Sequence, residues 1–362
     1  MKTSRLVLAA TITLMLVVAV GSNSLLANKQ TKTFNKEFKV DKNTQLYISN
    51  RFGQVVVENW DKNLITIDVE VTVEHSSKER SERMLAAISV TLEQVGDEVR
   101  GVTEIDDKLM KSVSNFSFGN SSKELRIDYK IKMPKHLNVT LRNKYGDMFI
   151  DELTGLSNID VKYGNLKANR IVYGNNEPLN LLTLGYGNAS IDEVNWMRFD
   201  IKYANLDIVK GQALVMLSKY SKISASQVSS LVIESKYDNV NIGAITNLVG
   251  ESGYTTYRIK NLGKKLNVKT RYGDVRIEEV DNAFESIAFE GGYSSIYAPI
   301  AESVSYNIDG EASYGGISYG DPARVNRIES NNKLSVNGRV GTNEKSTTSV
   351  RVRVKYGSAR LK

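Results

Sequence analysis

Apolar and polar residues alternate along most of this chain, and the alternation restarts at a regular interval. In residues 231–242, Leu231, Ile233 and Ser235 fall on one side of a strand, and after Tyr237 and the turn-forming Asp238 and Asn239, Val240 and Ile242 resume that side. The same pattern surrounds Tyr186, Tyr203, Tyr220, Tyr237 and Tyr254, each 17 residues after the last. Tyr145, Tyr163, Tyr272, Tyr293, Tyr314 and Tyr356 stand in equivalent positions, with spacings that drift to 18, 21 and 23, and Phe52 opens an early copy. The 42 residues from Tyr314 to Tyr356 hold one degenerate copy, residues 328–336, with Asn332 where Tyr is expected. A period of two inside a longer fixed period marks stacked β-coils, because one coil cannot bury its apolar face alone. The prediction is an all-β chain, a parallel β-solenoid (β-helix-like) of about twelve short coils with two strands each.

The remaining segments divide the chain further. Residues 1–27 read as a secretion signal: Lys2 and Arg5, then an uncharged run from Leu6 to Val20, then the small residues Gly21, Ser22 and Ala27. That run is short for a membrane span, and an uncleaved anchor is the alternative reading. Residues 28–60 hold an N-terminal strand and the first coil. Residues 61–133 form a small α+β cap near the N-terminus: a strictly alternating strand over 64–73, a capping box at Ser76-Ser77-Lys78-Glu79 opening a helix to about Ala87, and a hairpin around Gly96-Asp97. Residues 106–122 read as a mobile loop, 125–133 as a strand, and 134–362 as the solenoid.

Composition narrows what such a chain can do. There is no cysteine, so disulfide staples, thiolate metal sites and lipid acylation are excluded together. The formal net charge of +7 permits contact with anionic envelope polymers and does not point to nucleic acid. The two histidines, His75 and His136, are isolated, which leaves no triad and no histidine metal site; neither metal nor cofactor is expected. Gly316-Ile317-Ser318-Tyr319-Gly320 matches the nucleophile-elbow pattern, but it lies on a predicted solenoid strand with no histidine after it.

The order of signal, early Gly-containing coil and strand–helix–hairpin segment leads into Lys-Met-Pro-Lys-His-Leu-Asn-Val (132–139) and Lys-Tyr-Gly-Asp-Met-Phe-Ile (144–150). In this it resembles the bacterial putative-adhesin family of β-solenoid domains of unknown function. The resemblance implies a bacterial envelope or surface protein and no reaction. The reading is an exported protein of the periplasm or cell surface, without a membrane span in its mature chain, acting as a non-catalytic scaffold or adhesin-like binding module. The alternative is a polysaccharide-active β-helix enzyme, a lyase or hydrolase, which would need catalytic groups gathered in a cleft by long loops.

Two columns of side chains are candidates for binding. Parity puts Tyr145, Tyr163, Tyr186, Tyr203, Tyr220, Tyr237, Tyr254 and Tyr272 on the inward side, as a structural ladder rather than a sugar-binding strip. The glycines and Asn/Asp residues that follow them read as corner residues tolerant of positive φ. The preceding residue is basic in eight coils and points outward. Acidic residues two places earlier are expected to neutralise this basic column, with an exception at Lys219, whose acidic slot is Leu217. Lys202, Lys219 and Lys236 are therefore the candidate ligand site, for an anionic glycan or an envelope protein.

Overall fold

The computed structural model describes residues 28–75, 77–108, 124–174, 177 and 179–362. The predicted signal and most of the predicted mobile loop lie outside the described residues. What is described is all-β apart from one helix, with 27 strands joined in one sheet that does not close.

The N-terminal part holds β1 (Asn28–Lys39), β2 (Gln45–Arg51), β3 (Val55–Asn59), β4 (Leu64–His75), helix α1 (Lys78–Ala86), β5 (Ile88–Val95), β6 (Glu98–Ile105) and β7 (Glu124–Met133). The helix begins one residue later than the expected capping box: Ser77 is its N-cap and accepts from the Arg80 amide. Strand pairs then flank each aromatic corner: β8 (Asn138–Lys144) and β9 (Met148–Leu153), β10 (Ser157–Lys162) and β11 (Leu166–Ile171), β12 (Asn180–Gly185) and β13 (Asn188–Val194), then β14 (Met197–Lys202). In the 17-residue region β15 (Asn205–Lys219), β16 (Lys222–Lys236), β17 (Asn239–Gly253) and β18 (Thr256–Arg271) each run from one corner to the next. The chain ends with β19 (Val275–Val280), β20 (Ser286–Gly292), β21 (Ile296–Tyr297), β22 (Tyr306–Ser313), β23 (Gly316–Ser318), β24 (Ala323–Ser330), β25 (Lys333–Val340), β26 (Ser349–Lys355) and β27 (Ser358–Arg360).

Successive repeats pair in parallel and in register, so equivalent residues form columns: Phe199 pairs with Leu182 on one side and Met216 on the other. Their inward side chains make one continuous core. Fully burying one such aliphatic or aromatic side chain contributes about 1.5–3 kcal/mol, which is what holds repeats together that could not stand alone. At the N-terminal end β5 pairs antiparallel with β6, and β4 lies antiparallel between β1 and β7.

The C-terminal end departs from the expected linear order. Strand β26 inserts between β20 and β22, and β27 between β21 and β23. The expected degenerate coil at 328–336 is instead an antiparallel hairpin, β24–β25, turning at Asn331 with φ 54°. Its strand β25 pairs antiparallel with β22 and so covers an edge that would otherwise offer unpaired backbone groups.

Candidate functional site

The aromatic corners form one column. Phe52, Tyr145, Tyr163, Tyr186, Tyr203, Tyr220, Tyr237, Tyr254, Tyr272, Tyr293, Tyr356 and Tyr314 stack in that order, with ring centroids 4.7–5.2 Å apart and planes within 16°. The column is on the outside, which corrects the inward assignment. Tyr220 is 48% exposed, and Tyr163 through Tyr356 all fall between 41% and 56%. Parity fails at the corner because every one of these residues has φ between 53° and 65°. A left-handed residue turns its side chain out of the alternation, so Lys236 and Tyr237 are both exposed while Ser235 and Asp238 are buried. The backbone keeps its ladder through the turn: the Tyr220 amide donates to the Lys236 carbonyl at 3.0 Å.

Left-handed backbone costs a bulky residue about 1–2 kcal/mol. Stacking against two neighbours contributes about 0.5–1.5 kcal/mol per pair, enough to offset it. The following glycines therefore serve another purpose than positive φ. A Cβ on Gly164 would lie 2.0 Å from the Gly146 carbonyl oxygen, and one on Gly187 would lie 1.8 Å from that of Gly164, so these glycines permit close backbone approach. From Ala204 onward the same place holds Ser221, Asp238 and Thr255, which point inward. The Asp238 carboxylate accepts from Ser235 Oγ at 2.6 Å and from the Ser221 amide at 2.7 Å.

Burial pushes the Asp238 carboxyl above its ordinary value, and these hydrogen bonds only partly oppose that. The folded state therefore keeps this proton to higher pH than the unfolded chain. Its contribution to stability falls as pH rises from the unfolded carboxylate value, about 4, through the raised folded value. Asp238→Asn, whose amide can serve the same partners, should match wild type near pH 3 and exceed it at pH 7 in urea melts. A difference between the two that does not change with pH would contradict this.

Beside the rings runs the basic column. Lys202, Lys219 and Lys236 are register partners on adjacent strands; Gly185 separates them from a second basic run, Arg51, Lys144 and Lys162, in the same column. The expected neutralisation fails here. Asp200 pairs with Arg198 at 3.8 Å. In the basic column, Lys162 reaches Asp160 at 3.7 Å and Arg51 reaches Asp107 at 3.4 Å. Among the described residues Lys202, Lys219 and Lys236 make no ion pair within 4 Å, and Glu234 makes none either. Another column shows the contrast: Glu152, Arg170, Glu193 and Lys210 alternate in sign and pair at 2.7, 3.0 and 3.4 Å. On the far side of the rings Asp147, Asn165, Asn188 and Asn205 form a hydrogen-bonded ladder at 2.7–2.9 Å.

Chemically the strip offers ring edges, since each ring face is covered by the next. Aromatic edges carry the positive part of the ring quadrupole, so edges and ammonium groups together favour anions. The other candidates do not assemble. No helix follows Ser318 to make an elbow. Among the described residues no cluster of three or more metal-ligating side chains forms, and no helix is long and apolar enough to cross a membrane.

No family model and no curated protein matches the chain. Solved structures give low-scoring likenesses. A putative cell adhesion protein from Clostridium sporogenes is 12% identical, with 91% of this chain and 99% of that one covered at a TM-score of 0.18. A putative adhesin from Parabacteroides distasonis is 11% identical over 73% and 96% of the two chains, with a TM-score of 0.32. A putative lipid binding protein from Parabacteroides distasonis is 14% identical over 72% and 94%, with a TM-score of 0.31. TM-scores this low do not superpose two folds, and each name describes its own protein.

Proposed function

We propose that this chain is an exported, non-catalytic β-solenoid of the bacterial envelope or surface that binds an extended anionic polymer along its tyrosine–lysine strip. In this reading the repeats are about twelve coils of one solenoid, with residues 61–133 as its N-terminal cap. The carrying observation is the run of unpaired like charges at Lys202, Lys219 and Lys236 beside stacked ring edges. Like charges one strand spacing apart, about 4.8 Å, repel by about 0.9 kcal/mol in water, and a chain that pairs Glu152, Arg170, Glu193 and Lys210 has the means to avoid it. A linear anionic glycan with charges at comparable spacing relieves that repulsion at all three lysines at once. An acidic segment of an envelope protein is the other partner of the same chemistry.

Such binding is salt-sensitive, because exposed charges are screened over about 8–10 Å near physiological ionic strength. Wild type should retain polygalacturonate at low salt and release it at high salt. The Lys202/Lys219/Lys236→Ser triple variant should bind at least about tenfold more weakly at low salt. Equal retention of both proteins would remove the strip from consideration, and equal retention of a neutral glucan would remove the charge argument.

A further inference from the structure

The insertion of β26 creates a second feature that no repeat carries. At the C-terminal end a cleft of about 780 Å³ opens over β20, β22, β24, β25 and β26. Its floor is two rows of polar side chains set by strand register. Arg324, Arg339 and Asn307 face one another across one row, and Asn337, Asp309 and Arg351 across the next. One wall is the 341–348 connection, tied down where Asn307 Nδ2 donates to the Ser346 carbonyl at 3.0 Å and the Asn343 amide donates to Ser305 Oγ at 3.0 Å.

Charges in the cleft do not balance locally. Arg353, outside the cleft, holds the Asp309 carboxylate at 2.8 and 3.0 Å, and Arg324 reaches Glu344 at 3.0 Å. Arg351 has only a 3.4 Å approach to the already engaged Asp309. Arg339 is half-buried and donates its Nε to the neutral Asn307 Oδ1 at 3.3 Å, and among the described residues no carboxylate lies within 4 Å of it. A partly desolvated guanidinium without a counter-charge is unfavourable, and its planar fork matches a carboxylate. Around it Asn337, Ser286 and Ser349 supply amide and hydroxyl groups suited to sugar hydroxyls, in a volume that suits a short oligosaccharide.

We propose that this cleft binds a short acidic saccharide, with one sugar carboxylate held between Arg339 and Arg351. The site is separate from the tyrosine–lysine strip and does not depend on it. It is tested by calorimetric titration of the full chain with trigalacturonate, the neutral maltotriose and inorganic phosphate, using wild type, Arg339→Gln, Arg351→Gln and Lys42→Ser. Trigalacturonate should bind wild type, at least about tenfold more tightly than either maltotriose or phosphate. Arg339→Gln and Arg351→Gln should each weaken it by about tenfold or more, and Lys42→Ser, at an exposed lysine in the turn before β2, should leave it unchanged. Two substitutions keep the test decisive should one of them perturb folding, which thermal melts would reveal. The proposal is overturned if trigalacturonate fails to bind wild type, if phosphate or maltotriose binds as well, if the arginine variants bind normally, or if Lys42→Ser abolishes binding.

Discussion

Phe199→Ala should lower stability by about 3–5 kcal/mol, the range for deleting a fully buried aromatic ring. Phe199 has no exposed surface and packs inward, with Leu182 and Met216 as its in-register neighbours in one column. A cavity there interrupts a core that each repeat shares with its neighbours, so it cannot be confined to one strand. Tyr220→Ala should cost less, about 1–3 kcal/mol for the two ring stacks it removes. Tyr220→Gly should be milder than Tyr220→Ala by about 1 kcal/mol, because glycine accepts the left-handed backbone without penalty. Urea melts of the three variants give the order directly. If Tyr220→Ala proved as damaging as Phe199→Ala, the outward position of the ring would be wrong.

Gly187→Ala is the second large effect. The added Cβ would sit 1.8 Å from the Gly164 carbonyl oxygen, and that contact is backbone, which cannot swing aside. The two repeats must separate locally, lengthening the 2.9 Å hydrogen bond that the Tyr163 amide makes to the Gly185 carbonyl. About 3 kcal/mol of destabilisation is expected, in the upper range of overpacked sites. The converse change at the next corner, Ala204→Gly, removes one small buried methyl and should cost about 1 kcal/mol. A Gly187→Ala protein as stable as wild type would show that the corners are looser than the column geometry requires.

The sequence made the repeat visible because two periods reinforce each other. Leu231, Ile233, Val240 and Ile242 are all buried as the alternation implied. Tyr237 between them was misplaced because a count by twos assumes extended backbone on both sides, and one left-handed residue shifts the count. Nothing in the local pattern marks that shift, since a bulky residue at positive φ is the exception. The alternating column is legible in the spacing: Glu152, Arg170, Glu193 and Lys210 each stand seven residues after an aromatic corner. The C-terminal cleft was not legible. It depends on β26 entering between β20 and β22, and the long interval from Tyr314 to Tyr356 reveals an irregularity without revealing which strands become neighbours. Arg351 meets Asp309 only through that insertion, and Arg339 meets Asn307 only because β25 folds back antiparallel on β22.

The most direct test of the binding strip is tyrosine nitration of the folded protein, read residue by residue by mass spectrometry with and without polygalacturonate at low salt. Nitration needs an accessible phenol that can ionise. Burial pushes Tyr129, Tyr257 and Tyr306 up to about 12, so these three should stay unmodified in both conditions. In the free protein Tyr203, Tyr220 and Tyr237 should react readily, being about half exposed. Bound polymer should protect these three, flanked by Lys202, Lys219 and Lys236, and the protection should disappear at high salt. Nitration of Tyr203, Tyr220 and Tyr237 at the same rate with polymer retained on the protein would contradict the account.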